Sequence, residues 1–357
     1  MKEKAFGYLY LLSLVVLMAA CGSTPSYDEC GDVEYVKTFP NEYSLAEHKP
    51  ALSDFEGVVS IKGVDALLMG INSNQEYYMG LYSLETGHKI LDLFKQGQGP
   101  GEYAMSPTIQ RFFTHNDSLY ACMKYNPDKE VFLLNITSSI QEGKEIIENR
   151  SFPKDFKSVK DIIPLASGDS LMIYRDYGEG GFKRYILHAE GNRQAVNIGN
   201  VIPKIEEIDH NILSFLVLPF KNDSLVAEAN ITLNQIKVYS LYDQSIGKTI
   251  CVGSELDDIN SMSSRWRGNI PRSYGGVQLW GDKLIFLYHG LKEKDYRDNI
   301  GHSELQIFDS DMKPCSRIKL PVIASAMYVD KNGVLYAFNP LGDNEYIYKY
   351  DIKLMLQ

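Results

Sequence analysis

The heptapeptide "DSLYACM" (117–123) recurs along this chain in closely related forms. The related segments read "DALLMGI", "DSLMIYR", "DSLVAEA", "DKLIFLY" and "NGVLYAF", and they begin at residues 65, 169, 223, 282 and 332. Each combines a polar turn with an apolar run, which is the pattern of a turn that leads into a β-strand. Successive leucines are separated by 52, 52, 54, 59 and 51 residues, at Leu67, Leu119, Leu171, Leu225, Leu284 and Leu335. This regularity indicates six copies of one structural unit.

A second strand-like segment follows each leucine and is rich in Tyr, Val, Ile and Phe, with approximate period-two alternation. Amphipathic helical periodicity is almost absent after residue 30, which excludes helical-repeat proteins. We therefore predict an all-β fold, a six-bladed β-propeller with four-stranded antiparallel blades, formed by residues 33–357 as a single domain.

The sixth unit is incomplete, because only "LMLQ" (354–357) follows the strand-like segment "YIYKYDIK" (346–353). An open edge strand invites aggregation, so a ring of blades must have its ends joined. We expect the N-terminal segment Val33–Leu45 to supply the outermost strand of the last blade.

The segment "FKQGQGPGEY" (94–103) concentrates three glycines and a proline. A phosphate loop requires a lysine and a hydroxyl after its glycines, and a dinucleotide loop opens a helix. Here Glu102, Tyr103 and strand-like sequence follow the glycines. We interpret the segment as the crossing from the last strand of blade 1 to the first strand of blade 2, in which the glycines supply positive φ angles.

The first twenty residues have the pattern of a targeting signal. A basic start precedes the uncharged run Ala5–Ala20, which is shorter than the ~20 residues of a spanning helix. The stretch "LMAAC" (17–21) resembles a bacterial lipobox and predicts that Cys21 is lipidated and anchors the protein to a membrane. Residues 21–32 then form a short tether. The alternative is an ordinary signal peptide followed by a chance cysteine.

The crossing motif Gly-x-Gly-Pro-Gly-Glu-Tyr, followed by Pro107, resembles the blade linkers of NHL-type propellers. Together with the lipobox and the six repeats, the chain is similar to the TolB-like six-bladed propeller lipoproteins of Bacteroidetes. The resemblance implies the architecture and a location in the cell envelope, at the outer membrane. It carries over no established chemistry.

Two insertions distinguish blade 5 from the other units, at residues 260–276 and 289–302. The first contains no acidic residue and carries Arg265, Trp266, Arg267, Arg272 and Tyr274. Arginines bind carboxylates in bidentate fashion, and aromatic rings offer a flat face to a sugar ring. The insertions are expected to stand side by side and to form a ligand surface. The alternative is a solvated loop whose Trp266 packs on a neighbouring blade.

Polar residues also recur five positions after the repeat leucines, at Asn72, Lys124, Asp176, Asn230 and His289. Such residues could converge at the mouth of the central channel, or they could be strand ends that meet water. Of this set, Lys124 and His289 join their neighbours Arg175 and Tyr288 and the residues of the first insertion as predicted ligand-binding candidates. The full list is Arg265, Trp266, Arg267, Arg272, Tyr274, Tyr288, His289, Arg175 and Lys124.

The leading hypothesis is a lipid-anchored envelope propeller that binds an anionic glycan or peptide without chemistry. One alternative is a lyase or hydrolase in which Asp176, His289 and Lys124 supply acid–base groups. The other is a structural scaffold in an outer-membrane complex. The net charge of −10 disfavours nucleic acid. Neither a metal nor another cofactor is indicated, because histidines are few and lack ligand spacing.

Overall fold

The computed structural model describes residues 27–46, 50–52, 55, 57–73, 75–127, 129–151, 159–175, 181–198, 212–263 and 265–356. Three strands precede the repeats: β1 (Asp32–Val36), β2 (Asn41–Ser44) and β3 (Pro50–Leu52). Blade 1 consists of β4 (Val58–Val64), β5 (Leu67–Asn72), β6 (Tyr77–Ser83) and β7 (Lys89–Lys95). Blade 2 consists of β8 (Thr108–His115), β9 (Ser118–Tyr125), β10 (Glu130–Asn135) and β11 (Ile147–Ser151). Blade 3 consists of β12 (Val159–Pro164), β13 (Ser170–Arg175), β14 (Phe182–Leu187) and β15 (Arg193–Val196).

The second half of the ring repeats this arrangement. Blade 4 consists of β16 (Phe215–Phe220), β17 (Leu225–Asn230), β18 (Gln235–Ser240) and β19 (Gly247–Val252). Blade 5 consists of β20 (Pro271–Trp280), β21 (Lys283–Lys292), β22 (Glu304–Phe308) and β23 (Pro314–Lys319). Blade 6 contains β24 (Ala326–Val329), β25 (Val334–Asn339) and β26 (Asp343–Asp351). The helices are α1 (Ile136–Glu142), α2 (Ile259–Ser263) and α3 (Glu293–Arg297), with 3-10 turns at Arg267–Asn269 and Lys353–Met355.

The first strands of the blades surround the central axis. Strand β4 contacts β24, β24 contacts β20, β20 contacts β16, and β8 contacts β12. Apolar side chains fill the spaces between successive blades, as in the cluster that joins Met69 and Leu81 of blade 1 to Met123 and Phe132 of blade 2. Blades 1 and 6 approach closely where the ring joins its ends, since a Cβ at Gly63 would lie 2.0 Å from the Tyr328 ring. The predicted all-β six-bladed propeller is thus confirmed.

The recurring Asp-Ser-Leu pattern has a backbone cause. Asp65, Asp117 and Asp223 adopt φ angles of 50°, 59° and 62° in the turns between the first and second strands. Asp and Asn tolerate this left-handed region better than other residues with a Cβ, because their side chains can hydrogen-bond locally. In blades 3, 5 and 6 the positive φ of this turn falls instead on the neighbouring glycines Gly168, Gly281 and Gly333, at 89°, 59° and 82°. The repeat signal in the sequence therefore reflects a hairpin turn that needs a positive φ, which Asp supplies in three blades and Gly in the other three.

The N-terminal segment forms a belt along the outer edges of three blades. Strand β1 pairs in parallel with β19, β2 pairs in parallel with β23, and β3 pairs antiparallel with β26. An N-terminal strand therefore closes the sixth blade, as expected, but the assignment of that strand to Val33–Leu45 was wrong. The incomplete sixth unit indicated that a strand was missing. It gave no sign that the segment first adds a fifth strand to blades 4 and 5.

Residues 27–31, which the sequence assigned to the tether, pack against blade 4. The Asp28 carboxylate lies 2.6 Å from Lys237 Nζ, and the Cys30 amide donates to Thr249 Oγ1 at 2.7 Å. The packed domain therefore begins before Val33. Residues 1–26, including the predicted lipidation site Cys21, lie outside the described residues. Within the described ranges, no helix combines the length and the apolar character needed to cross a membrane.

The glycine-rich segment 94–103 joins β7 to β8, as predicted. The Gly99 amide donates to Glu102 Oε2 at 2.9 Å, so the loop binds its own carboxylate. A Cβ at Gly97 would lie 1.9 Å from that same oxygen, so a larger residue there would displace the Glu102 carboxylate from the loop. Of the three glycines only Gly101 has a positive φ, of 78°. The expectation that all three supply positive φ was therefore wrong, since Gly97 serves close approach instead.

Candidate binding surface on blade 5

The two insertions of blade 5 pack against each other, as the sequence predicted. Helix α3 of the second insertion contacts the 3-10 turn Arg267–Asn269 of the first. The Glu293 amide donates to the Ile270 carbonyl at 2.9 Å, and Arg272 Nη1 lies 3.3 Å from Glu293 Oε2. A backbone hydrogen bond and an ion pair thus join the insertions. We call the exposed residues Arg265, Trp266 and Arg267 the blade-5 surface.

Trp266 is the most exposed aromatic residue of the described chain, with 66% of its surface accessible. Its ring lies over Gly268, where a Cβ would come within 1.9 Å of the Trp266 Cζ3 atom. The ring therefore rests on its own loop and leaves one face to solvent, so it does not pack on a neighbouring blade. Arg265 and Arg267 flank it and are both exposed.

Arg272 lies beneath this surface and is half-buried. Its guanidinium carbon stands 4.1 Å from the centre of the Tyr296 ring, in a cation–π contact. The Glu293 carboxylate accepts from both Arg272 and Arg297, the latter at 2.7 Å. Arg272 thus has its charge compensated within the insertion. Its role is to fix α3 against β20.

His289 occupies a distortion of blade 5. The pairing of β20 with β21 is irregular on both sides of Tyr274, which is the mark of two β-bulges. His289 Nδ1 lies 2.8 Å from Ser303 Oγ, and its Nε2 faces Gly275, where a Cβ would be 2.2 Å away. Burial, with a smaller effect from the Arg272 charge, lowers the pKa of His289 to about 3. The imidazole is therefore a neutral, buried group.

The two tyrosines of the predicted site also lie below the surface. Tyr274 is fully buried and donates its hydroxyl to Gln306 Oε1 at 3.1 Å. Its ring centre lies 5.2 Å from that of Tyr288, which is only partly buried. Burial and the nearby Glu304 carboxylate raise the pKa of Tyr288 to about 12. Both hydroxyls therefore remain protonated at neutral pH, and the two side chains pack inside blade 5 below the insertions.

Lys124 and Arg175 stand elsewhere in the ring. Lys124 Nζ donates to the carbonyls of Val159, at 3.3 Å, and of Lys160, both on blade 3. Arg175 lies 5.6 Å from the centre of the Phe182 ring, also on blade 3. Within the described ranges, the hydrogen bonds of Lys124 and the ring contact of Arg175 all involve blade 3 and not blade 5. The structure thus separates these two candidates from the blade-5 group, because equal positions in different blades lie around the axis and not side by side.

The proposed acid–base set is likewise not assembled in the described part of the chain. His289 contacts Ser303, Lys124 contacts blade 3, and Asp176 lies outside the described residues. In the same ranges, no group of three or more His, Cys, Asp or Glu side chains is placed to hold a metal ion.

The chain matches one family of known proteins. A family model described as "TolB-like 6-blade propeller-like" matches residues 55–332, which is well over half of the chain. The chain belongs to the TolB-like six-bladed propeller family. No curated protein matches it in sequence.

Several solved structures are similar to this chain at low sequence identity. A member of the DUF4221 family from Bacteroides vulgatus ATCC 8482 has a TM-score of 0.51 and 12% identity, over 86% of this chain and 94% of that chain. A protein of Bacteroides fragilis NCTC 9343, named as exported, has a TM-score of 0.45 and 15% identity, over 80% and 78%. Virginiamycin B lyase from Staphylococcus aureus has a TM-score of 0.41 and 11% identity, over 86% and 88%. At these identities the likeness shows the fold alone.

Two features of this TolB-like propeller were missed by the sequence reasoning. Glu293 and Tyr296 contact Arg272 and so join the two insertions, but from the sequence they were treated only as residues of the second insertion. The acidic residues and the tyrosine of "KEKDYRD" (292–298) could have indicated a short helix that pairs with the arginines of the first insertion. Lys62 and Lys160 were not singled out, since nothing in their local sequence marks them as facing the axis.

Proposed function

We propose that this TolB-like propeller is a lipid-anchored protein of the cell envelope that binds an anionic glycan or peptide through the blade-5 surface. The observation that carries the proposal is the exposed ring of Trp266 between two exposed arginines. Aromatic residues and arginines are enriched at protein interaction surfaces relative to the rest of a protein surface, and here the two residue types stand together in the exposed segment Arg265–Arg267. The lipobox-like stretch "LMAAC" (17–21) supports the envelope location.

The charge of the surface supports an anionic ligand. The chain as a whole carries a net charge of −10, yet no acidic residue occurs between Ile259 and Gly281. The one carboxylate that reaches the first insertion from α3, Glu293, is engaged by Arg272 and Arg297. Arg265 and Arg267 are both exposed, and the charge of Arg265 also acts on the Asp257 carboxylate just before the insertion. Guanidinium groups bind carboxylates and sulfates through paired hydrogen bonds.

The ring geometry supports a sugar as one class of ligand. A pyranose offers an apolar face that stacks on an aromatic ring, and its carboxylate could reach a flanking arginine. A peptide carboxylate would use the arginines without needing the ring. The two classes are therefore separated by how much each depends on Trp266.

Arrays of uronic-acid glycans and acidic peptides would test the proposal. We expect Arg265→Ala with Arg267→Ala to weaken binding by about 1.5–3 kcal/mol for each charged hydrogen bond lost, and added salt to weaken it further. Trp266→Ala should weaken a glycan more than a peptide. Tyr242→Ala on blade 4, whose ring is 52% exposed, and Lys331→Ala, also exposed, are matched controls. Identical array profiles for wild type and all variants would refute the proposed surface.

A further inference from the structure

Three lysines follow one another around the central axis, and each reaches the first strand of the next blade. Lys62 of blade 1 donates to the Ile109 carbonyl of blade 2 at 2.8 Å. Lys124 of blade 2 donates to the Val159 carbonyl of blade 3 at 3.3 Å, and Lys160 of blade 3 donates to the Phe215 carbonyl of blade 4 at 2.9 Å. We call Lys62, Lys124 and Lys160 the axial lysine cluster.

The cluster carries more positive than negative charge. Lys160 Nζ contacts the Asp161 carboxylate, and the charges of this pair act on both Lys62 and Lys124. Among the described residues, Asp161 is the carboxylate whose charge acts on both Lys62 and Lys124, and the Lys160 ammonium opposes it at both. The three ammonium groups therefore share one carboxylate. Their like charges repel one another, and an additional anion would relieve that repulsion.

The cluster is enclosed but reachable. The side chains of Lys160 and Asp161 are 20% and 22% exposed, and Lys62 is exposed. Lys124 is buried, and its burial lowers the pKa of its ammonium group, because the surrounding blades remove much of the water that would solvate the charge. Solvent thus reaches a site in which the Lys124 ammonium is incompletely solvated.

The ammonium groups also have donors to spare. A lysine ammonium has three N–H groups, and the carbonyl of Ile109 takes one from Lys62. Ammonium groups bind phosphate as compact point charges, and several of them around one anion give affinity without a flat recognition surface. Lys62 and Lys160 lie on the first strands of their blades and Lys124 lies on the second strand of blade 2. The cluster is therefore built on strands and not on loops, which favours a small ligand.

We propose that the axial lysine cluster is a binding site for a small polyvalent oxyanion, with inorganic phosphate as its simplest representative. The site is separate from the blade-5 surface in position and in ligand size, so it does not rest on the function proposed above. The competing interpretation is that the three lysines only clasp neighbouring blades together through their carbonyl contacts.

Calorimetric titration of the full mature chain with inorganic phosphate, and with pyrophosphate, would test the site directly. Potassium chloride at the same ionic strength serves as the reference. We expect saturable binding with one anion per chain, a rise of the thermal midpoint with phosphate concentration, and at least tenfold weaker binding in Lys62→Met and Lys160→Met. Lys331→Met, on blade 6, is the exposed-lysine control and should bind as wild type does. Trp266→Ala should also retain phosphate binding, which separates this site from the blade-5 surface.

A second measurement needs no variant and therefore does not depend on whether the variants fold. Wild-type protein is treated with an amine-acetylating reagent, and the modification of Lys62 is followed by mass spectrometry relative to Lys331. Phosphate should slow acetylation of Lys62 and leave that of Lys331 unchanged. Equal rates of Lys62 acetylation with phosphate and with potassium chloride would overturn the proposal, as would phosphate binding that survives in Lys62→Met and Lys160→Met. The lysines would then only join neighbouring blades through their carbonyl contacts.

Discussion

Arg184 of blade 3 and Glu228 of blade 4 form a buried, bidentate ion pair across the interface between their blades. The Nε–Oε1 and Nη2–Oε2 distances are 2.7 and 2.5 Å, and the side chains are 5% and 0% exposed. Tyr239 donates its hydroxyl to the same carboxylate at 2.7 Å. Burial opposes ionisation of Glu228, but the charge and hydrogen bonds of Arg184 outweigh it and lower the pKa of Glu228 below 4.5. The pair thus stays charged inside the ring.

Removal of one partner should be costly. We predict that Arg184→Met lowers the free energy of unfolding by about 3–5 kcal/mol, because the buried Glu228 carboxylate loses its hydrogen-bonded counter-charge. Urea denaturation near neutral pH measures the effect. The exposed pair Lys89–Asp92, at 2.8 Å, provides the control, since Lys89→Met should change the stability by less than about 1 kcal/mol. Equal effects of the two substitutions would contradict this account.

The same ion pair sets an acid limit to the stability. Because the folded-state pKa of Glu228 is lowered, its contribution is present above the unfolded-state pKa near 4.5 and is lost as the pH falls through the lower folded-state value. The double variant Arg184→Met with Glu228→Met should be less destabilised than Arg184→Met alone and should lose this acid sensitivity. Denaturation curves on both sides of pH 4.5 would show whether the sensitivity belongs to the pair.

The belt should contribute core packing as well as strand pairing. Phe39, between β1 and β2, is buried with its ring centre 5.5 Å from that of Phe308 in blade 5. We predict that Phe39→Ala costs about 3–5 kcal/mol of unfolding free energy, as expected for loss of a buried aromatic side chain. Tyr35→Ala removes a ring that is 47% exposed in the same belt and should cost within about 0.5 kcal/mol. If both variants unfold at the same urea concentration, the belt contributes no packing to the hydrophobic core.

The sequence was sufficient to predict the ring because the fold signal is local and repeated. Each hairpin turn, such as the one at Asp117, is specified by a few neighbouring residues, and six copies of the pattern strengthen the prediction of a ring. The belt was assigned wrongly because β1 and β2 pair with strands more than 200 residues away, and a short polar-apolar segment does not specify which edge it will join.

For the candidate site, the extra length of the two insertions could be read from the sequence, whereas the exposure of their side chains could not. The two insertions of blade 5 were visible as extra residues, and they pack together because the connection into β20 and the loop between β21 and β22 leave the blade at the same face. The burial of Tyr274 and His289 could not be anticipated, because it depends on two β-bulges in β20 that shift which side chains face inward. Neither bulge has a signature in the sequence beyond the pair Gly275–Gly276.

His289 should make the protein sensitive to mild acid. Its folded-state pKa, about 3, lies below the ordinary value of 6.5, so the unfolded chain takes up a proton first as the pH falls. The contribution of the neutral imidazole is therefore present above pH 6.5 and is lost progressively toward pH 3. Between about pH 7 and about pH 5 the wild type should lose about 2 kcal/mol more than His289→Gln. Parallel pH profiles for the two proteins would contradict the burial of this histidine.

The anchor prediction concerns a residue outside the described ranges. If Cys21 is lipidated, the mature protein expressed in a bacterial envelope should partition into detergent, and Cys21→Ser should move it to the aqueous phase. Cys315→Ser, which changes a partly exposed cysteine of blade 5, is the control and should leave the partition unchanged. Recovery of the wild type in the aqueous phase, cleaved after a residue other than Ala20, would contradict the lipobox.

The orientation of Trp266 can be tested without altering any charge. A Cβ at Gly268 would overlap the Trp266 ring, at 1.9 Å from Cζ3, and the three nearest heavy atoms all belong to that ring. Gly268→Ala must therefore push the ring off its loop. Because the ring is 66% exposed, we predict a change in unfolding free energy of less than about 1 kcal/mol. Glycan affinity should nevertheless fall as far as in Trp266→Ala, while binding of an acidic peptide to Arg265 and Arg267 should persist. Trp266→Phe, which keeps a smaller flat ring, should retain part of the glycan affinity. Glycan binding unchanged in Gly268→Ala would mean that the ring plays no part in recognition.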